Sequence, residues 1–195
     1  MVADSENLPQ NLLIALQRLV QALEQHQLRY ALIGAVASGY RSRPRATQDL
    51  DFLLEVPQIS LPGLLEELQA SGFSFDMLTA IRQWTQEHFA VVSFRGIRVD
   101  WLKPVLPCYQ HVLNGARPEL WHGTTIRIAS PEGLILLKLL AFRSRDLLDI
   151  ENLLAANRGQ IDLDYIRREW ESLADENDPR MLRFKDLVDK FYLSH

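Results

Sequence analysis

Cysteine is almost missing from this chain: Cys108 is the single one in 195 residues. That excludes an internal disulfide framework and a zinc site built on cysteines, and it suits a reducing, cytoplasmic setting. Long apolar runs are missing too. The longest, Gly133–Phe142, is about ten residues and is interrupted by Lys138, against the roughly twenty that a membrane-spanning helix needs. The first residues, Met1 to Glu6, carry neither the basic nor the apolar stretch of a secretory leader. Positive charge is not in surplus. The formal net charge is -4, so the molecule as a whole is not a basic nucleic-acid binder. His26, His88, His111, His122 and His195 show no H-x-x-x-H spacing and read as core or surface residues. There is no internal repeat, linker or low-complexity segment.

What is present is an ordinary globular composition, 47% hydrophobic and 24% charged, enough to bury a real core. The length suits one α/β domain or a compact domain with a helical extension. Lysine is scarce: 17 of the 21 basic residues are Arg, whose planar fork matches phosphate oxygens. Leucines at helical spacing predict a helix over roughly 9–26. Short strands follow at 29–34 and 48–56, with a small-residue turn opening a helix at 35–40 between them. A helix is expected at 61–70, a strand at 73–77 and a helix at 78–87. Strands 89–94 and 97–102 flank the hairpin pair Arg95-Gly96. A helix at 106–113 and a strand at 124–128 complete this part. Beyond it only helices are expected, at 131–142, 144–156, 163–173 and 179–192, the first opened by Ser130 as N-cap and Pro131. Trp84, Trp101, Trp121 and Trp170 read as core or interface residues. The expected class is α+β: a small mixed sheet flanked by helices over 1–128, then a helical region over 129–195.

Chemistry concentrates in carboxylates. Asp49 and Asp51 stand two apart in a strand, so their side chains share a face while Leu50, Phe52 and Leu54 fill the other. Like charges so placed raise each other's pKa unless a cation lies between them, and a hard divalent cation with oxygen ligands answers that need. Asp100 ends a second strand, and reaches the same ions if that strand pairs with 48–56. An Asp-x-Asp alone is equally common at solvated strand ends. Upstream, Gly34 closes an apolar strand and opens a small-residue helix, where exposed N–H groups favour an anion.

In combination, the segment LIGAVASGYRSRPRATQDLDFLL resembles the nucleotidyltransferase fold of the DNA polymerase beta superfamily. It is closest to the bacterial minimal and abortive-infection (AbiEii-like) toxin branch. That pattern is an apolar strand, Gly-Gly or Gly-Ser, a short helix, Arg-x-Thr-x-Asp-apolar-Asp and a later strand ending in Asp. Here Gly34, Arg45, Thr47, Asp49, Asp51 and Asp100 meet it. A second stretch, SPEGLILLKLLAFRSRDLLDI, is similar to that branch's helical lysine and Arg-x-Arg/Lys-Asp motifs. The resemblance implies that Asp49, Asp51 and Asp100 bind Mg²⁺ or Mn²⁺, that Lys138 contacts the phosphates of a nucleoside triphosphate, and that Arg145 and Asp146 belong to the nucleotide site, Asp146 orienting Lys138 or Arg143. The chain departs from the pattern at Ala35, which keeps the backbone N–H but lacks a hydroxyl; Ser38, one turn on, is the candidate substitute. From the residues alone, Lys138 has a second reading, an ion pair with Asp146 or Asp149. Arg41, Arg43 and Arg45 are either guides for a triphosphate or RNA, or a solvated loop balancing the acids.

The function so implied is metal-dependent transfer of a nucleoside monophosphate from an NTP to a hydroxyl of tRNA or a partner protein, in a toxin–antitoxin setting. The alternatives are a catalytically degenerate nucleotide- or partner-binding module, antitoxin-like, and a small-molecule transferase of the aminoglycoside type.

Overall fold

The computed structural model describes residues 8–175 and 177–192; Met1 to Asn7, where the leader pattern was sought, and His195 lie outside them. The elements run in chain order α1 (Gln10–Gln25), β1 (Arg29–Ile33), α2 (Gly34–Arg41), β2 (Asp49–Glu55), α3 (Leu61–Ala70), α4 (Met77–Arg82), β3 (Phe89–Phe94) and β4 (Ile97–Leu102). Then come α5 (Pro107–Gly115), β5 (Arg117–Trp121), β6 (Thr124–Ile128), α6 (Pro131–Ala141), α7 (Ser144–Ala156), α8 (Leu163–Glu171) and α9 (Pro179–Tyr192). The class is α+β. Six strands form one mixed sheet in the order β3-β4-β2-β1-β6-β5. The pairs β2/β4 and β1/β6 are parallel and the rest antiparallel.

Alternation along β2 divides the molecule. Leu50, Phe52 and Leu54 are fully buried on the face that α1 and α3 cover with Leu12, Leu16, Leu19, Leu23, Leu61, Leu64, Leu65 and Leu68. Helices α2, α5 and α6 pack around the other face, which carries Asp49 and Asp51. Helix α6 is apolar on nearly every side because α2, α5, α7, α8 and α9 all pack against it. Its start is fixed by Ser130, whose Oγ accepts from Gly133 N at 3.2 Å. Ser130→Ala should therefore cost about 1 kcal/mol, read as a lower denaturant midpoint with unchanged slope.

Three local expectations are corrected. Residues 73–77 make no strand. Ser74 forms one isolated bridge to Ser93, because Asp76 already accepts from Thr79 N and starts α4. The helix expected at 78–87 stops at Arg82 and continues as a π-helical turn, Gln83–Glu87, closed by left-handed His88. Strand β5 was not foreseen. It carries Pro118, a residue that argues against a central strand but is tolerated at a sheet edge, and the edge is where β5 lies. A tight turn at His122-Gly123, both at positive φ, returns it to β6.

Candidate active site

The parallel pairing of β2 with β4 sets Asp51 directly opposite Asp100, and Asp49 opposite Arg98. By strand alternation the three carboxylates share one face. They line a cavity of about 390 Å³ with Gly34, Ala35, Arg45, Thr47, Lys138, Arg143, Arg145 and Asp146. Leu102, Tyr109, Leu134 and Leu137 form an apolar wall on the same cavity.

Gly34 joins β1 to α2 at φ +69°. A Cβ at this position would overlap Asp51 Oδ2 and lie 2.7 Å from Asp51 Cβ. The backbone of the turn therefore rests against the Asp51 carboxylate in a way only glycine allows. Helix α2 starts there with no side-chain cap, which leaves its first N–H groups to an anion.

The acids are under electrostatic load. Burial pushes the Asp51 carboxyl above the ordinary carboxylate range, and Asp100 and Asp49 push it further, against Lys138 and Arg143. Burial also raises Asp100, opposed by Arg98 and aided by Asp49. Arg98 Nε lies 2.7 Å from Asp100 Oδ1, yet that oxygen is buried without an aligned hydrogen bond. A carboxylate oxygen carries two lone pairs, so this single close contact with Arg98 does not exhaust Asp100.

Opposite the acids lies a network of ions. Lys138 Nζ donates to Asp149 Oδ2 at 2.6 Å, and Arg45 Nε and Nη2 donate to the same carboxylate at 3.2 and 3.4 Å. Asp146 is held by Arg143. Burial would raise its carboxyl, but hydrogen bonds from the Arg143 side chain and backbone, with the Lys138 charge, bring it below the usual range. By accepting from the Arg143 backbone N–H, Asp146 supplies the carboxylate half of a capping box at the start of α7.

Residues 13–184 match the family described as "Nucleotidyl transferase of unknown function (DUF2204)". The chain belongs to this family. No curated protein matches it. Among solved structures, it is similar to ANT(2")-Ia in complex with adenylyl-2"-tobramycin, at 13% identity and TM-score 0.57, over 80% of this chain and 94% of that one. It is likewise similar to the lincomycin-bound lincosamide antibiotic adenylyltransferase LnuA, at 13% identity and TM-score 0.51, over 77% and 99%. At such identities the likeness is one of fold.

In this DUF2204 nucleotidyl transferase, Gly34, Ala35, Arg45, Thr47, Asp49, Asp51, Asp100, Lys138, Arg145 and Asp146 all line the one cavity. Ser38 does not. Its hydroxyl is buried and donates to Gly34 O at 2.8 Å, the ordinary back-bond of a helical serine, so the structure corrects its assignment as a phosphate ligand. Arg41 is likewise committed elsewhere, to Glu119 and to the carbonyls of Ile128 and Ala129. Among the described residues no three His, Cys, Asp or Glu side chains are already arranged to hold a metal ion. The donor chemistry nevertheless fits a hard divalent cation: all-oxygen ligands, with Asp51 and Asp100 raised by burial and by their acidic neighbours. Sequence reading missed Tyr109, Leu102 and the Leu134/Leu137 wall. The stripe Leu134, Leu137, Lys138, Ala141 follows helical spacing and would have exposed the α6 side of the cavity. Nothing in the sequence ties Tyr109 to it.

Proposed function

We propose that this transferase moves a nucleoside monophosphate from an NTP to a hydroxyl acceptor, with Mg²⁺ or Mn²⁺ held by Asp49, Asp51 and Asp100. The observation that carries this reading is the meeting of three acidic side chains from two adjacent strands beneath the uncapped start of α2, with Lys138, Arg143 and Arg145 across the same cavity. A bound divalent cation would neutralise charge on the triphosphate and on the leaving pyrophosphate. The chain's own groups do the rest. The Gly34–Ala35 N–H groups and the three basic residues bind and orient the triphosphate. Asp100 takes the proton of the acceptor hydroxyl. That oxygen bonds to the α-phosphorus as the bond to the pyrophosphate oxygen breaks. Ala35 removes one hydroxyl from this cradle but leaves its backbone donors intact.

For the acceptor, tRNA or a partner protein in a toxin–antitoxin pair follows from the resemblance of the sequence motifs. A small molecule is the second reading, favoured by the cavity's apolar wall of Leu102, Tyr109, Leu134 and Leu137. The test incubates the protein with α-labelled NTPs and Mn²⁺ or Mg²⁺, offering total tRNA, cell proteins or aminoglycosides in turn. One acceptor should become labelled, and chelator should abolish the labelling. Label transfer that persists in excess chelator would overturn the metal assignment. Metal-dependent NTP binding with no product on any acceptor would favour the degenerate reading instead.

A further inference from the structure

The ion network at the back of the cavity contains one carboxylate that the proposed chemistry does not use. Asp149 is buried in α7 at 4% exposure and is not part of the cavity lining. Resting on the nucleotide-site reading above, we infer that Asp149 is a positioning residue that fixes Lys138 and Arg45 at the cavity wall and keeps them off the Asp49, Asp51 and Asp100 carboxylates.

Lys138 needs such a partner. It projects from an almost wholly apolar helix and is 6% exposed, and an unpaired ammonium there is costly. Two carboxylates are near. Asp146 Oδ1 is 3.8 Å from Nζ, but that carboxylate is occupied by the Arg143 backbone N, Nε and Nη2. Asp149 Oδ2, at 2.6 Å, is therefore the group that holds the ammonium. Arg45 reaches the same carboxylate from the loop between α2 and β2. One anion thus ties together two cations, one from the segment before the acidic strand and one from the helical region. Each of these cations also lines the cavity. Two positive charges share one negative, so the pair keeps net positive charge for a polyanion. Without Asp149, the acids left within the cavity for Lys138 and Arg45 are those assigned to the metal, besides the occupied Asp146. The expected consequence is a collapse of cation onto carboxylate that removes phosphate donors and metal ligands together.

The test uses the full chain with Asp149→Asn, Asp149→Glu, Lys138→Met and the double variant D149N/K138M. Two readouts are taken at a temperature well below every melting point. The first is calorimetric affinity for ATP and for GTP with Mn²⁺. D149N should weaken the better-bound nucleotide by roughly tenfold or more, K138M should do the same, and the two losses should fall well short of additive, the double variant being worse than K138M alone only by what Arg45 loses with its partner. The second readout does not depend on nucleotide: an amine-acylating reagent with peptide mass mapping. Lys138 should be labelled several-fold faster in D149N than in the parent, while Lys103, Lys185 and Lys190 keep their rates. D149E, which retains the charge one methylene further out, should fall between parent and D149N in both, and it carries the same expectations if D149N does not fold. A fall in melting temperature with unchanged affinity and unchanged Lys138 labelling would overturn the inference and leave Asp149 a plain structural staple. A parent protein that binds neither nucleotide, while Lys138 is released in D149N, would sink the nucleotide-site reading and leave the positioning role standing.

Discussion

Asparagine in place of Asp51 will cut nucleotidyl transfer by about a thousandfold, roughly 4 kcal/mol of barrier, while the variant melts at or above the temperature of its parent. Asp51 faces Asp100 across the β2/β4 pair and touches the Gly34 turn. It lies between the turn and the second acidic strand, and Asn keeps its shape but not its charge. The stability half of the expectation follows from the same burial. The folded carboxyl titrates above its unfolded value of about 3.9, so the native state holds the proton more tightly than the unfolded state does. Stability contributed by this group is therefore lost as pH rises from about 4 through the raised folded value, and the penalty is complete above it. Asn carries no charge at any pH. Measured in chelator, the melting-temperature gap between D51N and parent should be widest near neutrality and close below about pH 4. Added Mg²⁺ should then raise the parent's melting temperature, by linkage to the native state, and leave D51N unmoved. A variant that melts lower at neutral pH would mean that Lys138 and Arg143 outweigh burial and the acidic neighbours.

The legibility of the candidate site in the sequence has a physical basis, and so do the gaps. Asp49 and Asp51 are legible because strand alternation is local: two residues apart means one face, whatever the rest of the chain does. Gly34 is legible for the same reason, since a glycine at a strand-to-helix junction announces an unusual backbone. Asp100 needed a guess that its strand lies beside β2. The resemblance supplied that guess and the observed register bears it out. Ser38 was misplaced because helical spacing cannot say whether a hydroxyl turns outward or back to the carbonyl four residues earlier. Lys138 had two readings, phosphate contact or ion pair, and it makes the ion pair while also facing the cavity. The contribution of Asp149 to that pair is a long-range fact, fixed by how α7 folds back on α6 after Phe142 adopts a left-handed conformation. Strand β5 failed for a different reason. Pro118 is evidence against a strand only if the strand is central, and edge position is a property of the whole sheet.

The charge pattern of the cavity explains why such a site tolerates its own repulsion. Asp49, Asp51 and Asp100 are held close by backbone pairing that the hydrophobic face of the sheet stabilises, with Leu50, Phe52, Val99 and Trp101 fully buried behind them. The side facing the acids keeps its cations in check through Asp146 and Asp149, so the two walls do not simply neutralise each other.

Alanine at Gly34 should do what asparagine at Asp51 does not, and damage fold and chemistry together. At φ +69° an L-residue carries about 1–2 kcal/mol of backbone strain. The larger effect is steric. The new methyl would overlap the Asp51 carboxylate and sit 2.7 Å from its Cβ. Asp51 belongs to the middle of a paired strand and cannot retreat, so either the start of α2 shifts or the Asp51 side chain rotates away from Asp100. Both outcomes break the alignment of phosphate donors with carboxylates. Transfer should fall by roughly a hundredfold or more, and overpacking should bring the total destabilisation to roughly 2–4 kcal/mol, a melting temperature lower by about 5–15 °C for a chain of this size. A double-variant cycle separates the two causes. In an Asp51→Gly background the carboxylate and the Cβ are both gone and the overlap with them, so Gly34→Ala should cost little more than the backbone strain. If the full loss of stability persists in that background, the glycine is there for the turn alone. If the loss shrinks while activity stays absent, the glycine is there to make room for Asp51.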